Sequence, residues 1–128
     1  MERQLISSGA KWESVVGYSR AIRVGNLIEI SGTTATDGDR VQAAGDVYGQ
    51  TVYILEKIRQ VLQEAGSRLE DVIRTRMYVT DISQWEQVAK AHGKFFGTIR
   101  PVTTMVEVSR LIQEDLLIEI EVTAIISP

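Results

Sequence analysis

Two stretches of the chain repeat apolar residues with the 3.6-residue period of an amphipathic helix. From Asp46 to Ala65 the apolar positions fall on one stripe, with Asp46 able to cap the first turn and Gly66 able to supply the left-handed residue at the end. The second stripe begins at Ser83-Gln84-Trp85-Glu86, which matches a capping box, and ends at Gly97. Its predicted packed side carries Trp85, Val88, Ala89, His92, Phe95 and Phe96.

Alternating apolar and polar residues predict β-strands around these two helices. Gly25-Asn26 separates the runs 20–24 and 27–31, as in a hairpin whose tight turn uses the positive φ open to glycine. Further strands are predicted at 72–80, 103–110 and 116–126, while Asp and Gly predict a turn over 36–40. The order β-β-α-β-α-β-β predicts one α+β domain, residues 1–128, in which a mixed sheet carries both helices on one face.

The predicted sheet has an apolar face and a charged face. Apolar residues alternate from Leu116 to Ile126 and should meet the helices, so that Glu119, Glu121 and Thr123 point the other way. The same division assigns to the charged face Glu29, Ser31, Arg74, Arg76, Tyr78, Thr103, Met105 and Glu107. A solvated face is one interpretation. Both signs of charge beside apolar residues favour the other, a face that meets further subunits or lines a pocket.

Composition limits the chemistry available to this chain. The 128 residues include no Cys and one His, which excludes disulfides, thiolate nucleophiles, Cys-based metal sites and histidine-rich metal sites. Fourteen basic and 17 acidic residues give a net charge of -3, which argues against binding a nucleic acid backbone. No run approaches the roughly 20 apolar residues of a spanning helix, and no export signal is visible. We therefore expect a cytoplasmic protein with no membrane contact.

Five short motifs lie in a fixed order between Gly17 and Ile126. They are Gly17-Tyr18, Gly25-Asn26-Leu27-Ile28-Glu29-Ile30-Ser31-Gly32, Glu64-Ala65-Gly66, Val106-Glu107-Val108-Ser109-Arg110-Leu111 and Ile118-Glu119-Ile120-Glu121. Together, with closely similar spacing, they resemble the RidA family, also called YjgF. The resemblance implies a chorismate-mutase-like α+β fold and a homotrimer with ligand clefts between adjacent subunits. It also implies hydrolysis of enamines and imines such as 2-aminoacrylate to 2-keto acids and ammonia, without a metal or organic cofactor.

The resemblance also implies a set of site residues. Glu119 stands where the family has the glutamate thought to orient water, so it is the candidate catalytic residue. Tyr18 and Ser31 stand where the family has its pocket tyrosine and serine. The remaining candidate substrate-binding residues are Gly32, His92, Arg100, Thr103, Thr104 and Met105. For His92, packing in the helix or at an interface is the alternative to a role in the pocket.

Thr103 is the main departure from the family pattern. The family holds the substrate carboxylate with an arginine two residues after a proline, and this chain has Pro101-Val102-Thr103. A hydroxyl cannot form the two charge-assisted hydrogen bonds of a guanidinium, a loss of about 2 to 5 kcal/mol for a desolvated carboxylate. Arg100 and Arg76 are candidates to replace it, although an ordinary salt bridge or a surface position is the favoured interpretation of either.

Three functions follow from these features. The first is hydrolysis of a reactive enamine or imine with Glu119 acting on water. The second is a module that binds or senses a small metabolite without catalysis. The third, an endoribonuclease or translation inhibitor, is disfavoured by the acidic balance and the lack of a basic or aromatic stripe. The expected partners are a small-molecule metabolite and further copies of the chain, with no nucleic acid.

Overall fold

The computed structural model describes residues 1–128, and a six-stranded mixed sheet is its central element. The strands are β1 (Arg3–Ile6), β2 (Ala21–Val24), β3 (Leu27–Thr34), β4 (Thr36–Asp37), β5 (Arg40–Val41), β6 (Val72–Val79), β7 (Val102–Glu107) and β8 (Ile118–Ile125). The helices are α1 (Lys11–Val16), α2 (Val47–Glu64) and α3 (Trp85–Phe96). The sheet order is β1-β2-β3-β8-β6-β7, while β4 and β5 form a separate hairpin. None of the helices has the length and apolar character needed to cross a membrane.

The hydrophobic core lies between one face of the sheet and the helices α2 and α3. Twenty-two buried apolar residues form it, and α2 supplies the completely buried Ile54, Leu55, Ile58 and Leu62. The Asp46 side chain accepts a hydrogen bond from the Gly49 amide, 2.9 Å long, and so caps the helix. Gly66 follows the helix with a φ of 83°. The predicted α+β class, mixed sheet and α2 are therefore confirmed.

The predicted capping box of α3 is wrong. The chain first makes a single 3-10 turn over Ile82–Gln84, and Asp81 accepts hydrogen bonds from the Ser83 amide and hydroxyl. The carboxylate ahead of Ser83 thus takes the role assigned to the serine, and the α-helix begins at Trp85 without a side-chain cap. Its buried residues are Val88, Ala91, Phe95 and Phe96, whereas Trp85 and Ala89 are exposed.

The face assigned to three residues of β7 is also wrong. The strand pairs with β6 in parallel, and Thr103, Met105 and Glu107 lie beside Thr75, Met77 and Val79, on the helix side of the sheet. Alternation along β7 could be read in either phase, because most of the strand is exposed at the sheet edge. The other predicted residues of the charged face keep their places: Thr123 donates to Glu29, and Arg76 and Tyr78 contact Glu121.

A β-bulge interrupts the pairing of β3 with β8. Ile30 lies opposite Val122 and Thr33 lies opposite Ile120, so two residues of β3, Ser31 and Gly32, stand against one residue of β8. The hairpin register, in which the Ser31 amide donates to the Arg20 carbonyl at 3.0 Å, places Arg20 beside the bulge. Bulges redirect side chains and bend the strand locally. The candidate site is built at this bulge.

Candidate functional site

A cavity of about 210 Å³ opens beside the β3 bulge. Gly32 and Glu119 line it from the sheet, and Tyr18 and Arg20 line it from the segment that enters β2. This volume is smaller than the roughly 300 to 1,000 Å³ of sites that hold drug-sized ligands, so the cavity suits a small metabolite. The structure has no cluster of three or more acidic or histidine side chains placed to hold a metal ion.

Glu119 lies against the backbone of the bulge. A Cβ atom added at Gly32 would overlap Oε2 of Glu119, so only glycine leaves room for the carboxyl group in this position. Burial raises the pKa of the Glu119 carboxyl above its ordinary value of 4.5; the charge of Arg20 lowers it in part, and Glu121 raises it further. A carboxyl group shifted in this direction can exchange protons with a bound molecule closer to neutral pH.

Arg20 is a buried residue of the cavity wall, with 8% of its surface exposed. Its Nη2 donates hydrogen bonds to the Ser31 hydroxyl and the Gly32 carbonyl. The Ser31 hydroxyl in turn lies 3.0 Å from the carbonyl oxygens of Ser19 and Arg20. Ser31 therefore positions Arg20 in the cavity wall, and the guanidinium lies 5.9 Å from the centre of the Tyr18 ring.

The cavity has an apolar rim. Trp12 and Val16 of α1 and Ile112 of the loop before β8 line the cavity, and all three are exposed. Gln113 and Leu116 continue the wall formed by the loop before β8. Aliphatic and aromatic side chains at the mouth and charged groups at the base make a cavity suited to an amphipathic molecule.

A second polar cluster lies on the helix side of the sheet, near the edge strand. The Thr75 hydroxyl lies 2.9 Å from Nε2 of His92 and 2.6 Å from the Thr103 hydroxyl. Burial lowers the pKa of His92 from its ordinary value of 6.5, and its ring centre lies 4.7 Å from that of Phe96. A neutral imidazole is therefore fixed beside Thr103 by one bridging hydroxyl.

The structure thus brings some of the predicted site residues together and separates others. Tyr18, Gly32 and Glu119 line the cavity, with Ser31 behind them; His92 and Thr103 belong to the second cluster, next to Met105, which packs on the core. Thr104 faces the opposite side of the sheet and accepts a hydrogen bond from Arg74, 3.3 Å long. Arg100 is exposed with a φ of 57°, and Arg76 lies 3.9 Å from Glu121.

Several lining residues were not assigned to a pocket from the sequence, among them Arg20, Trp12 and Ile112. Arg20 could have been found from the Gly25-Asn26 turn, because a two-residue turn pairs Arg20 with Ser31 across the hairpin. A charged residue that pairs with a predicted pocket residue across a hairpin is itself a candidate pocket residue. Trp12 and Ile112 carry no such signal, since the α1 segment and the loop before β8 reach the cavity only through the tertiary fold.

Comparison with known proteins gives consistent matches along almost the whole chain. The family model described as endoribonuclease L-PSP matches residues 8–126. A solved structure from Mycobacterium tuberculosis, described as a member of the YjgF/YER057c/UK114 family, is 50% identical with a TM-score of 0.88, over 98% of this chain and 100% of that one. A RutC family protein of Pyrococcus horikoshii is 39% identical over 110 residues, 84% of this chain and 85% of the relative. The 3-aminoacrylate deaminase RutC of Acinetobacter baylyi is 28% identical over 121 residues, 94% and 95% of the two chains.

Proposed function

The chain belongs to the endoribonuclease L-PSP family, which includes the YjgF proteins, and on that premise we propose that its cavity binds a small enamine or imine and hydrolyses it. In the hydrolysis, water adds to the carbon of the C=N bond, the C–N bond then breaks, and a carbonyl compound and ammonia leave. An enamine first takes a proton on carbon to become the imine. These steps need a positioned water molecule and a group that exchanges protons.

The observation that carries this proposal is the position of Glu119 in the cavity. Its carboxyl group lies over Gly32, within a wall that includes Tyr18 and Arg20, and burial raises the pKa of the group. A carboxylate in this place would orient water, and its protonated form would supply the proton for departing ammonia. The relative named 3-aminoacrylate deaminase supports an enamine substrate.

The test is an assay with substrates generated in situ. We expect faster release of the carbonyl product from 2-aminoacrylate, 2-iminopropionate or 3-aminoacrylate with the protein than without it. Glu119→Gln should lower the acceleration by about 10²- to 10⁴-fold, the usual contribution of a positioned acid or base. Glu86→Gln, an exposed change in α3, is the matched control and should leave the rate unchanged. No acceleration by the wild-type protein on any of the three would contradict the proposal.

One observation favours a second candidate, binding without catalysis. At the position where the family resemblance implies an arginine, the Thr103 hydroxyl is engaged with Thr75 on the helix side of the sheet. Under this alternative the wild-type protein would be stabilised by a metabolite in a thermal-shift screen but would not accelerate hydrolysis. Tyr18→Phe and Ser31→Ala should then weaken the stabilisation, and unchanged stabilisation in both variants would place the ligand outside the cavity.

We also propose that the chain assembles as a homotrimer through the charged face of its sheet. On this face Arg76 and Tyr78 both contact Glu121, beside the exposed apolar residues Leu27, Val102, Val106 and Ile125. Such a mixture of exposed apolar side chains and paired charges suits a subunit interface. The second cluster, at the sheet edge, would then be available to complete the cavity of a neighbouring subunit.

A further inference from the structure

The strongest unassigned feature of the molecule is the guanidinium of Arg20. A buried arginine ordinarily pairs with a carboxylate, because an uncompensated buried charge is costly. The ion pairs of this chain join Lys11 to Asp39, Arg59 to Glu56 and Arg76 to Glu121. None of them includes Arg20, although the residue is 92% buried.

Most of the hydrogen-bonding capacity of Arg20 is also unused. Its two hydrogen bonds to protein acceptors both come from Nη2. Nε is buried and has no partner, and Nη1 makes no hydrogen bond to another residue. In the whole chain, Nε of Arg20 is the one buried side-chain nitrogen or oxygen without a partner. Nε is closed off from solvent, whereas Nη1 is not among the buried atoms and keeps both of its donors free, so the guanidinium can meet an acceptor from outside the chain through Nη1.

Two carboxylates, those of Glu13 and Glu119, interact electrostatically with Arg20, but neither forms an ion pair with it. Glu13 accepts hydrogen bonds from the Ser7 and Ser8 hydroxyls and the Ser8 amide, and it is therefore committed to the segment before α1. Glu119 influences Arg20 by its charge but forms no ion pair with it. The cavity thus has a cationic group and an acidic group on its wall, and each lacks a direct partner.

We propose that Arg20 is the anion-binding residue of the cavity and that the ligand is a small monocarboxylate with an apolar substituent. The carboxylate would lie at Arg20, and the substituent would extend towards the rim formed by Trp12, Val16 and Ile112. This inference rests on the proposed function of the cavity and adds to it the residue that binds the carboxylate and the preference for an apolar substituent. It assigns to Arg20, from the hairpin, the recognition of a carboxylate that Thr103 cannot provide.

A second cavity, of about 280 Å³, also borders Arg20 and has to be distinguished from the first. It lies on the side of α2 and is lined by Lys57, Ser8 and Glu64 among others. Lys57 donates hydrogen bonds to the carbonyl oxygens of Thr34 and Thr36, 3.1 and 2.9 Å long, so two of its three donors are used. The apolar side chains that line this cavity are Ile6 and Val61, and no aromatic residue joins them, so we place a ligand with an apolar substituent in the cavity of Glu119.

The experiment measures the binding of three probes by the fluorescence of Trp12 in full-length Trp85→Phe protein. The probes are 4-methyl-2-oxopentanoate, its uncharged amide, and pyruvate, which lacks the branched substituent. We expect the branched keto acid to bind about 10- to 100-fold more tightly than its amide, the range for charge-assisted hydrogen bonds. It should bind about tenfold more tightly than pyruvate because of the additional buried carbon atoms.

Variants then assign this preference to a residue. Arg20→Met should abolish the discrimination between keto acid and amide, and Arg20→Lys, which keeps the charge, should retain part of it if the Met variant does not fold. Arg68→Met removes an exposed arginine elsewhere and should bind as the wild type does. Lys57→Met should also change the affinity by less than about twofold. A loss in Lys57→Met as large as in Arg20→Met would place the anion in the second cavity and overturn the proposal.

The outcomes separate this inference from the proposed function. Equal binding of keto acid and amide to a wild-type protein that hydrolyses imines would overturn the role of Arg20 and leave the hydrolysis intact. Tighter binding of pyruvate than of the branched acid would overturn the apolar substituent. No binding of any probe, together with no hydrolysis, would overturn both the inference and the proposed function.

Discussion

At the scale of single residues, the missing side chain of Gly32 determines where the acid of the cavity lies. The Glu119 carboxyl group occupies the space that a Cβ at position 32 would take. In that space it is partly buried, and its pKa rises because the charged form loses solvation. The absence of a side chain at Gly32 thus determines both the position of the Glu119 carboxyl group and the rise in its pKa.

Gly32→Ala should therefore affect the site more than the fold. The new methyl group meets the end of a flexible side chain, so Glu119 can rotate away, and we expect a loss of at most about 1 kcal/mol in the free energy of unfolding. The displaced carboxyl group should no longer act on a ligand, and hydrolysis or probe binding should fall at least tenfold. Gly93→Ala, where the added Cβ meets no atom within 4 Å, is the control. Unchanged activity in Gly32→Ala would contradict this account.

The raised pKa of Glu119 also predicts a pH dependence of stability. Between the ordinary value of 4.5 and the raised value, the folded protein holds a proton at Glu119 that the unfolded chain releases. The contribution of the group to stability is therefore present below pH 4.5 and is lost as the pH rises through the folded-state pKa. Urea unfolding should show that wild type loses stability relative to Glu119→Gln between pH 4.5 and 7.5. A difference that is constant with pH would contradict the raised pKa; the other titrating groups are common to both proteins.

At the scale of elements, the sequence predicts best those that carry strong periodicity. The stripe of α2 repeats over five turns between a capping aspartate and a glycine, so its bounds follow almost to the residue. By contrast, β1 has one buried residue in four, and α1 buries only Glu13, so neither shows a periodic apolar pattern. These two elements are held by neighbours that sequence patterns do not reveal: β1 by pairing with β2, and α1 by hydrogen bonds from Ser7 and Ser8 to Glu13.

The candidate site was predictable to a similar extent. Ser31, Gly32 and Glu119 come together because the hairpin turn and the alternation of β8 place them on adjoining strands, and Tyr18 lies in the segment that leads into β2. Thr103 could not be placed, because its facing depends on the parallel register between β6 and β7, strands joined through the whole of α3. Local alternation carries no information about that register.

Gln50 couples α2 to the loop that closes the cavity. Its Nε2 donates to the Asp115 carbonyl and its Oε1 accepts from the Leu117 amide, both at 2.9 Å. Gln50→Met keeps the volume but removes both bonds, so we expect a loss of about 1 to 3 kcal/mol in the free energy of unfolding and weaker ligand binding. Gln60→Met, the same change at an exposed position of the same helix, should have little effect. Equal urea midpoints for the two variants would show that the loop does not depend on Gln50.

At the scale of the whole molecule, the sheet separates two environments. One face is covered by α2 and α3, and the other presents a polar network in which the Tyr78 hydroxyl donates to Glu121 at 2.6 Å. The hydrogen bond to Glu121 and burial raise the pKa of Tyr78 above its ordinary value of 10.0. Arg76 adds an opposite charge to the same network. If the chain assembles through this face, the assembly should depend on the negative charge of Glu121, which both Arg76 and Tyr78 contact.

Glu121→Arg tests the assembly directly. It places a second guanidinium beside Arg76 and removes the acceptor of Tyr78, so like charges would repel within the interface. Sedimentation velocity should show a trimer for the wild-type protein and a monomer for the variant. Glu86→Arg, with the same change of charge on the exposed start of α3, should remain a trimer. A monomeric wild type, or a trimeric Glu121→Arg, would contradict assembly through this face.

The bulge in β3 has a consequence for how length changes in this chain are tolerated. Ile28 and Ile30 point into the core before the bulge, and Thr33 and Ala35 do so after it. A gene that lost the codon for Gly32 would encode a regular strand in which all four residues still face inward. The cavity would lose Gly32 from its wall, while the hydrophobic core would keep all of its side chains. A single-codon deletion would thus remove the residue that makes room for the Glu119 carboxyl group and leave the core unchanged, because the core itself does not require Gly32.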